Sequence, residues 1–80
     1  MDLSQLENIR SLWAEVVDPA LAVRCIPVLL KGDTLVIEVP SGVYAQRLRE
    51  DTEIILAEFS RRGVASVMNI SPIVRESPTT

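Results

Sequence analysis

Of the eleven carboxylates in this 80-residue chain, Glu50, Asp51, Glu53 and Glu58 are the group that could include an acid/base pair, and Cys25 is its one thiol. An acid/base pair needs two carboxyl groups in environments that push their proton affinities apart. These four lie instead beside Arg47, Arg49, Arg61 and Arg62 at helical spacing, the pattern of a solvated helix face. Cys25 has no imidazole to generate a thiolate, because the chain contains no histidine. Without histidine, and with one cysteine, no zinc ligand set can be assembled. The three glycines, at positions 32, 42 and 63, are too far apart to form a phosphate-cradling loop. The expectation is a protein with no catalytic residue, no metal, no cofactor and no small-molecule substrate.

Binding chemistry is better represented. Arg24, Lys31, Arg47, Arg61 and Arg62 are the candidate contacts for nucleic-acid phosphates, with Arg49 and Arg75 as further cations. Arg47 and Asp51, Arg49 and Glu53, and Glu58 and Arg62 are each four apart and are expected to pair, at about 0.2–0.5 kcal/mol each. Phosphates can therefore compete for these arginines. Arg61 and Arg62 also suit the C-terminal end of a helix, where the dipole favours cations. A second candidate, for a protein partner, is the helix flank of Val43, Arg47, Ile54 and Arg61. There Ile54 is expected to be exposed between two arginines.

These residues need a scaffold, and the scaffold is legible in periodicities. Ser4-Gln5-Leu6-Glu7 has the form of a capping box, so a helix is expected from about Gln5. Leu6, Ile9, Trp13 and Val16 or Val17 then make one apolar stripe, with Glu7, Arg10 and Glu15 off it. Asp18-Pro19 reads as a cap followed by proline at the first helical position, opening a short turn to about Arg24. Trp13 sits at the elbow between the two.

Cys25–Lys31 and Thr34–Val39 read as strands of a hairpin around Gly32-Asp33. Leu35, Ile37 and Val39 alternate with Thr34, Val36 and Glu38, so one face is buried. Pro27, which lacks an amide donor, belongs at an edge or a bulge. After Pro40-Ser41-Gly42, one long helix capped by Ser41 is expected to end near Arg62, before Gly63 in a left-handed cap. Tyr44, Leu48, Ile55 and Phe59 form its core-facing arc. Val64–Ile70 reads as a third strand ended by Ser71-Pro72. The expected layout is a single domain over residues 1–72 and a flexible C-terminal tail over 73–80.

Composition limits what such a domain can do. A chain of 80 residues holds one small core, and it buries roughly 60% of its unfolded surface. Its apolar runs fall far short of the ~20 residues a membrane span needs. The opening residues Met1–Ser4 lack the cation-then-apolar pattern of an export signal, so the cytoplasm is the expected location. Eleven acidic residues against eight basic give a net charge of −3, so any contact with nucleic acid must rest on local clustering of cations. Trp13, Tyr44 and Phe59 all lie on core-facing stripes, which leaves no aromatic platform for stacked bases.

One ordered run of residues carries more information than any single group. It comprises Trp13, Val16-Val17-Asp18-Pro19-Ala20-Leu21-Ala22, Pro27, Gly32-Asp33-Thr34-Leu35-Val36-Ile37-Glu38-Val39, Ser41, Tyr44-Ala45 and Leu48. This run, within a match from Ile9 to Ile70, resembles the DciA family of small bacterial proteins implicated in loading or operating the replicative helicase. The order of the expected elements, helix, short helix, strand, strand, helix, strand, gives a small α+β domain with a three-stranded sheet covered on one face by helices, and the resemblance implies that this domain is KH-like. It also implies a non-enzymatic replication accessory protein whose partner is the replicative DNA helicase, with single- or double-stranded DNA as a further partner. The alternative is a small KH-like adaptor that binds protein alone. The Gly-x-x-Gly clamp of nucleotide-binding KH domains has no counterpart in this sequence.

Overall fold

Local signals account for the first half of the chain in the computed structural model, which describes residues 3–75. Helix α1 (Leu3–Val16) buries Ile9, Trp13 and Val16, with Leu6 half-buried and Glu7, Arg10 and Glu15 exposed. It already includes Leu3 and Ser4, so Ser4 is a helical residue and not the expected cap. Serine and glutamate three apart also occur along any exposed helix face, and that ambiguity set the expected start too late.

Asp18 caps α2 (Pro19–Ala22): its Oδ1 accepts from the Ala20 amide at 3.1 Å, and Pro19 stands at the first position. Turn bonds carry the chain through Arg24, as expected, and the Cys25 amide closes it by donating to the Leu21 carbonyl at 2.8 Å. Trp13 holds this elbow. Its buried indole Nε1–H donates to the Cys25 carbonyl at 2.7 Å, and its ring stacks on Phe59 with centroids 6.3 Å apart. One side chain thus joins the first helix, the entry to the sheet and the last helix.

Strands β1 (Ile26–Lys31) and β2 (Thr34–Val39) form the hairpin, with Lys31 opposite Thr34. Only Gly32, at φ +63°, takes a positive angle in the turn, the pattern of a type II′ connection. Leu35, Ile37 and Val39 are at most 1% exposed. Pro27 lies on an edge strand beside a register shift between Pro27 and Leu29, combining the edge and the bulge that a missing donor permits.

The long helix is two helices, a correction to the single one expected. Helix α3 (Gly42–Glu50) and α4 (Thr52–Arg61) meet at Asp51, whose φ is −95° and ψ is 4°. The backbone ladder reaches Asp51 from the Arg47 carbonyl and resumes from Asp51 to the Ile55 amide. Between them the Thr52 hydroxyl donates to the Leu48 carbonyl at 2.9 Å, a back-bond that bends helices. The apolar period survives the break, since Leu48, Ile55 and Phe59 are all buried, so the pattern could not reveal it. Ser41 occupies the cap position in extended conformation without a side-chain capping bond.

Gly63 ends α4 at φ +85°. The Val64 amide donates to the Phe59 carbonyl at 2.8 Å and the Gly63 amide to the Ser60 carbonyl at 3.1 Å, the two bonds of a Schellman motif.

The third strand is displaced from its expected position. Strand β3 runs Asn69–Val74, parallel to β2, with Ser71 and Pro72 inside it. Val64 and Val67 are buried in the connection, so their β-branched character reflects core filling and not a strand. Pro72 is tolerated because β3 is the other edge of the β1-β2-β3 sheet. The Arg75 amide donates to the Val39 carbonyl at 2.8 Å. Backbone groups alternate along a strand, so the Pro72 nitrogen points away from β2. Strand β3 also runs two residues past the expected boundary at Pro72, while residues 76–80 of the expected tail lie outside the described residues. The result is a small α+β domain with a mixed three-stranded sheet, α1 packed on β1 and α3 on β3.

Candidate functional site

The five candidate cations fall in four places once the elements are set. Arg24 follows the α2 turn and Lys31 ends β1, so the hairpin strand separates them; both are exposed. Neither makes an ion pair among the described residues. Arg47 on α3 pairs through Nε with Asp51 at 3.2 Å. Arg61 and Arg62 converge on a single carboxylate: Arg61 Nη1 lies 2.9 Å and Arg62 Nη1 2.8 Å from Glu58 Oε1. The structure therefore gathers Arg61 and Arg62 and keeps Arg24 apart from Lys31.

Two of the three expected pairs form, and the third fails for a physical reason. Arg49 and Glu53 stand on opposite sides of the break at Asp51 and make no ion pair among the described residues. Helical spacing brings residues four apart together only along an unbroken helix. Sequence alone places Arg75 in the tail. Its amide continues the sheet, and its Nη1 lies 2.6 Å from Glu38.

The partner flank is exposed throughout. Val43 is 77% and Ile54 63% exposed, and Arg47 and Arg61 also lie at the surface. The break assigns the first pair of this flank, Val43 and Arg47, one turn apart, to α3. Ile54 and Arg61, two turns apart, belong to α4. Sequence periodicity missed a further set of exposed apolar side chains, Ile26, Leu29 and Ile73, on the sheet. The bulge in β1 and the displaced β3 concealed their alternation.

Cys25 is fully buried, and burial pushes its thiol above the ordinary value. Such a group stays protonated at neutral pH and is no nucleophile. The unfolded chain ionises first as pH rises, so its contribution to stability is full below the unfolded value and is lost above it. Stability is expected to fall above about pH 8.5 in the parent and less in Cys25→Ala, as read by urea midpoints across pH. Alkylation of the thiol by iodoacetamide should follow unfolding and not precede it. Among the described residues, no three His, Cys, Asp or Glu side chains are grouped to hold a metal ion. No helix among them is long and apolar enough to cross a membrane.

Comparison with known proteins places this scaffold. No curated protein matches the chain. The family described as Dna[CI] antecedent, DciA, matches it over residues 3–71, which takes in every element down to the middle of β3. The chain belongs to the DciA family, a helicase-loader and accessory family of bacterial DNA replication.

Proposed function

We propose that this protein is a non-enzymatic accessory factor of DNA replication that works in the cytoplasm by contacting the replicative helicase. The observation that carries the reading is exposure: Val43 and Arg47 on α3, and Ile54 and Arg61 on α4, all stand in water on a chain of this family. Aliphatic side chains among arginines suit a protein interface, in which an apolar centre excludes water and arginines supply the rim. DNA is a secondary contact in this reading, made by Arg24, Lys31, Arg47, Arg61 and Arg62. Pairing with Asp51 and Glu58 dilutes three of those five charges, but exposed pairs are worth only about 0–1 kcal/mol, so phosphates can displace them.

The KH-like label implied by family resemblance remains architectural. The sequence holds no Gly-x-x-Gly, and the α3–α4 junction is acidic, Glu50-Asp51-Thr52-Glu53. A protein-only adaptor is the second reading, favoured by the net charge of −3.

The cognate helicase at low salt should retain the full chain at micromolar concentration. Val43→Glu and Ile54→Glu should weaken retention by about tenfold, the scale of an interface hot spot, with thermal stability unchanged. Failure of the parent to bind overturns the helicase reading. Fluorescence anisotropy with single- and double-stranded DNA across a salt series separates the two versions. DNA contact requires a steep salt dependence that Arg61→Ala/Arg62→Ala flattens by up to about 1.8 in logarithmic slope on duplex. A flat, weak signal assigns the adaptor.

A further inference from the structure

The sheet has a second face that no element among the described residues covers. Register fixes its rows. Leu29, Val36 and Ser71 stand side by side, then Ile26, Glu38 and Ile73, then Lys31, Thr34 and Asn69. The alternate residues of β2 point to the helices and are buried, while Val36 and Glu38 are half-exposed. Ile26, Leu29 and Ile73 are 40%, 39% and 46% exposed. Glu38 does not break this surface with net charge, because Arg75 neutralises it at 2.6 Å. Lys31, at the hairpin end, has no ion pair among the described residues.

Size, edges and charge select the occupant. Six residues per strand and three strands make a platform of about 10 Å by 20 Å, on the order of 200–300 Å². That is far below the ~800 Å² per partner of a stable dimer, so a second copy does not fit this face as its sole contact. Strand addition is blocked at both edges. Val39 directs its carbonyl to Arg75, so Ile37 also bonds toward β3, and Pro27, opposite Ile37, turns its nitrogen outward as Pro72 does. Nucleic acid finds here one unpaired lysine, one arginine whose charge Glu38 offsets, and no aromatic ring among the described residues. A single α-helix, about 10 Å across and about 1.5 Å per residue, matches the width and covers the length in roughly 12–13 residues.

We propose that the open sheet face docks one amphipathic helix of a partner protein, its apolar stripe lying over Leu29 and Val36 and a carboxylate near one end meeting Lys31. Helix-in-groove recognition of this kind reads anchors at i, i+3 or i+4, and i+7. The surface is separate from the α3–α4 flank, and the inference stands whether or not the partner is the helicase.

Photo-crosslinking tests it in the cell that carries the chain, with p-benzoylphenylalanine introduced into the full chain at Leu29, at Ile73 on the opposite edge strand, and at exposed Ala14 on α1 as control. Using two positions guards against one variant failing to fold. Adducts at Leu29 or Ile73, absent at Ala14, should map by mass spectrometry to a partner segment with a helical apolar stripe and an acidic residue near its end. Lys31→Glu should lower their yield by about fivefold or more through charge reversal, with thermal unfolding unchanged. No adduct above control, crosslinks to a second copy or to nucleic acid, a segment without that pattern, or indifference to Lys31→Glu each overturns the proposal. Helicase retention in the pull-down reports separately on the helix flank.

Discussion

Trp13→Ala is expected to leave a large fraction of the chain unfolded under conditions where the parent is folded. Truncating a buried tryptophan costs about 3–5 kcal/mol through lost transfer energy and the cavity left behind. The indole is 3% exposed and stacked on Phe59, and its Nε1–H is the donor for the buried Cys25 carbonyl. Losing that donor strands the carbonyl, at about 1–3 kcal/mol. A chain of 80 residues has a total stability of roughly 4–12 kcal/mol, so the change consumes much or all of it. Trp13→Phe separates the contributions: it retains aromatic packing against Phe59 and loses the hydrogen bond, and is expected to cost less than the alanine variant. Urea titrations followed by far-ultraviolet circular dichroism, which does not depend on the lost tryptophan signal, rank the three proteins. Equal midpoints for Trp13→Ala and the parent would refute the elbow's role.

Adjacent isoleucines should behave oppositely. Ile55 is 2% exposed and Ile54 63%. Ile55→Ala is expected to destabilise by about 2–5 kcal/mol, whereas Ile54→Ala should stay within about 0.5 kcal/mol, as surface changes do. Denaturation midpoints measure both effects, and helicase retention reports what Ile54 adds to the proposed partner flank. Loss of both stability and binding at Ile54 would mean that α4 is rotated from the orientation described.

Much of the scaffold was legible because its signals are local. The Ile9–Trp13–Val16 stripe, the Asp18-Pro19 cap, the Gly32-Asp33 turn and the alternation of β2 each depend on residues within one or two turns of chain. The break at Asp51 was not legible. It rests on a hydroxyl competing for one carbonyl, and Thr52 also fits an unbroken helix. The third strand misled because Val64 and Val67 carry strand-forming side chains that fill the core from a loop, while Pro72, a strand breaker elsewhere, stands at an outward-facing edge position. The candidate site shared these fates: Arg47 met Asp51 as spacing required, Arg49 lost Glu53 to the break, and Glu58 took two arginines where spacing had assigned it one.

The sequence by itself determined the class of the domain, the order of its helical and strand segments, the hairpin and the residues that fill most of the core, because hydrophobic period and turn chemistry act over a few residues. Tertiary structure decided the register of β3, the division of the long helix, the partners of the arginines and the open sheet face. The β3 register and the open face depend on groups far apart in the chain, as when Val39 meets Arg75, whereas the helix break and most arginine pairs turn on local bonds three or four residues apart whose alternatives the sequence pattern fits equally well.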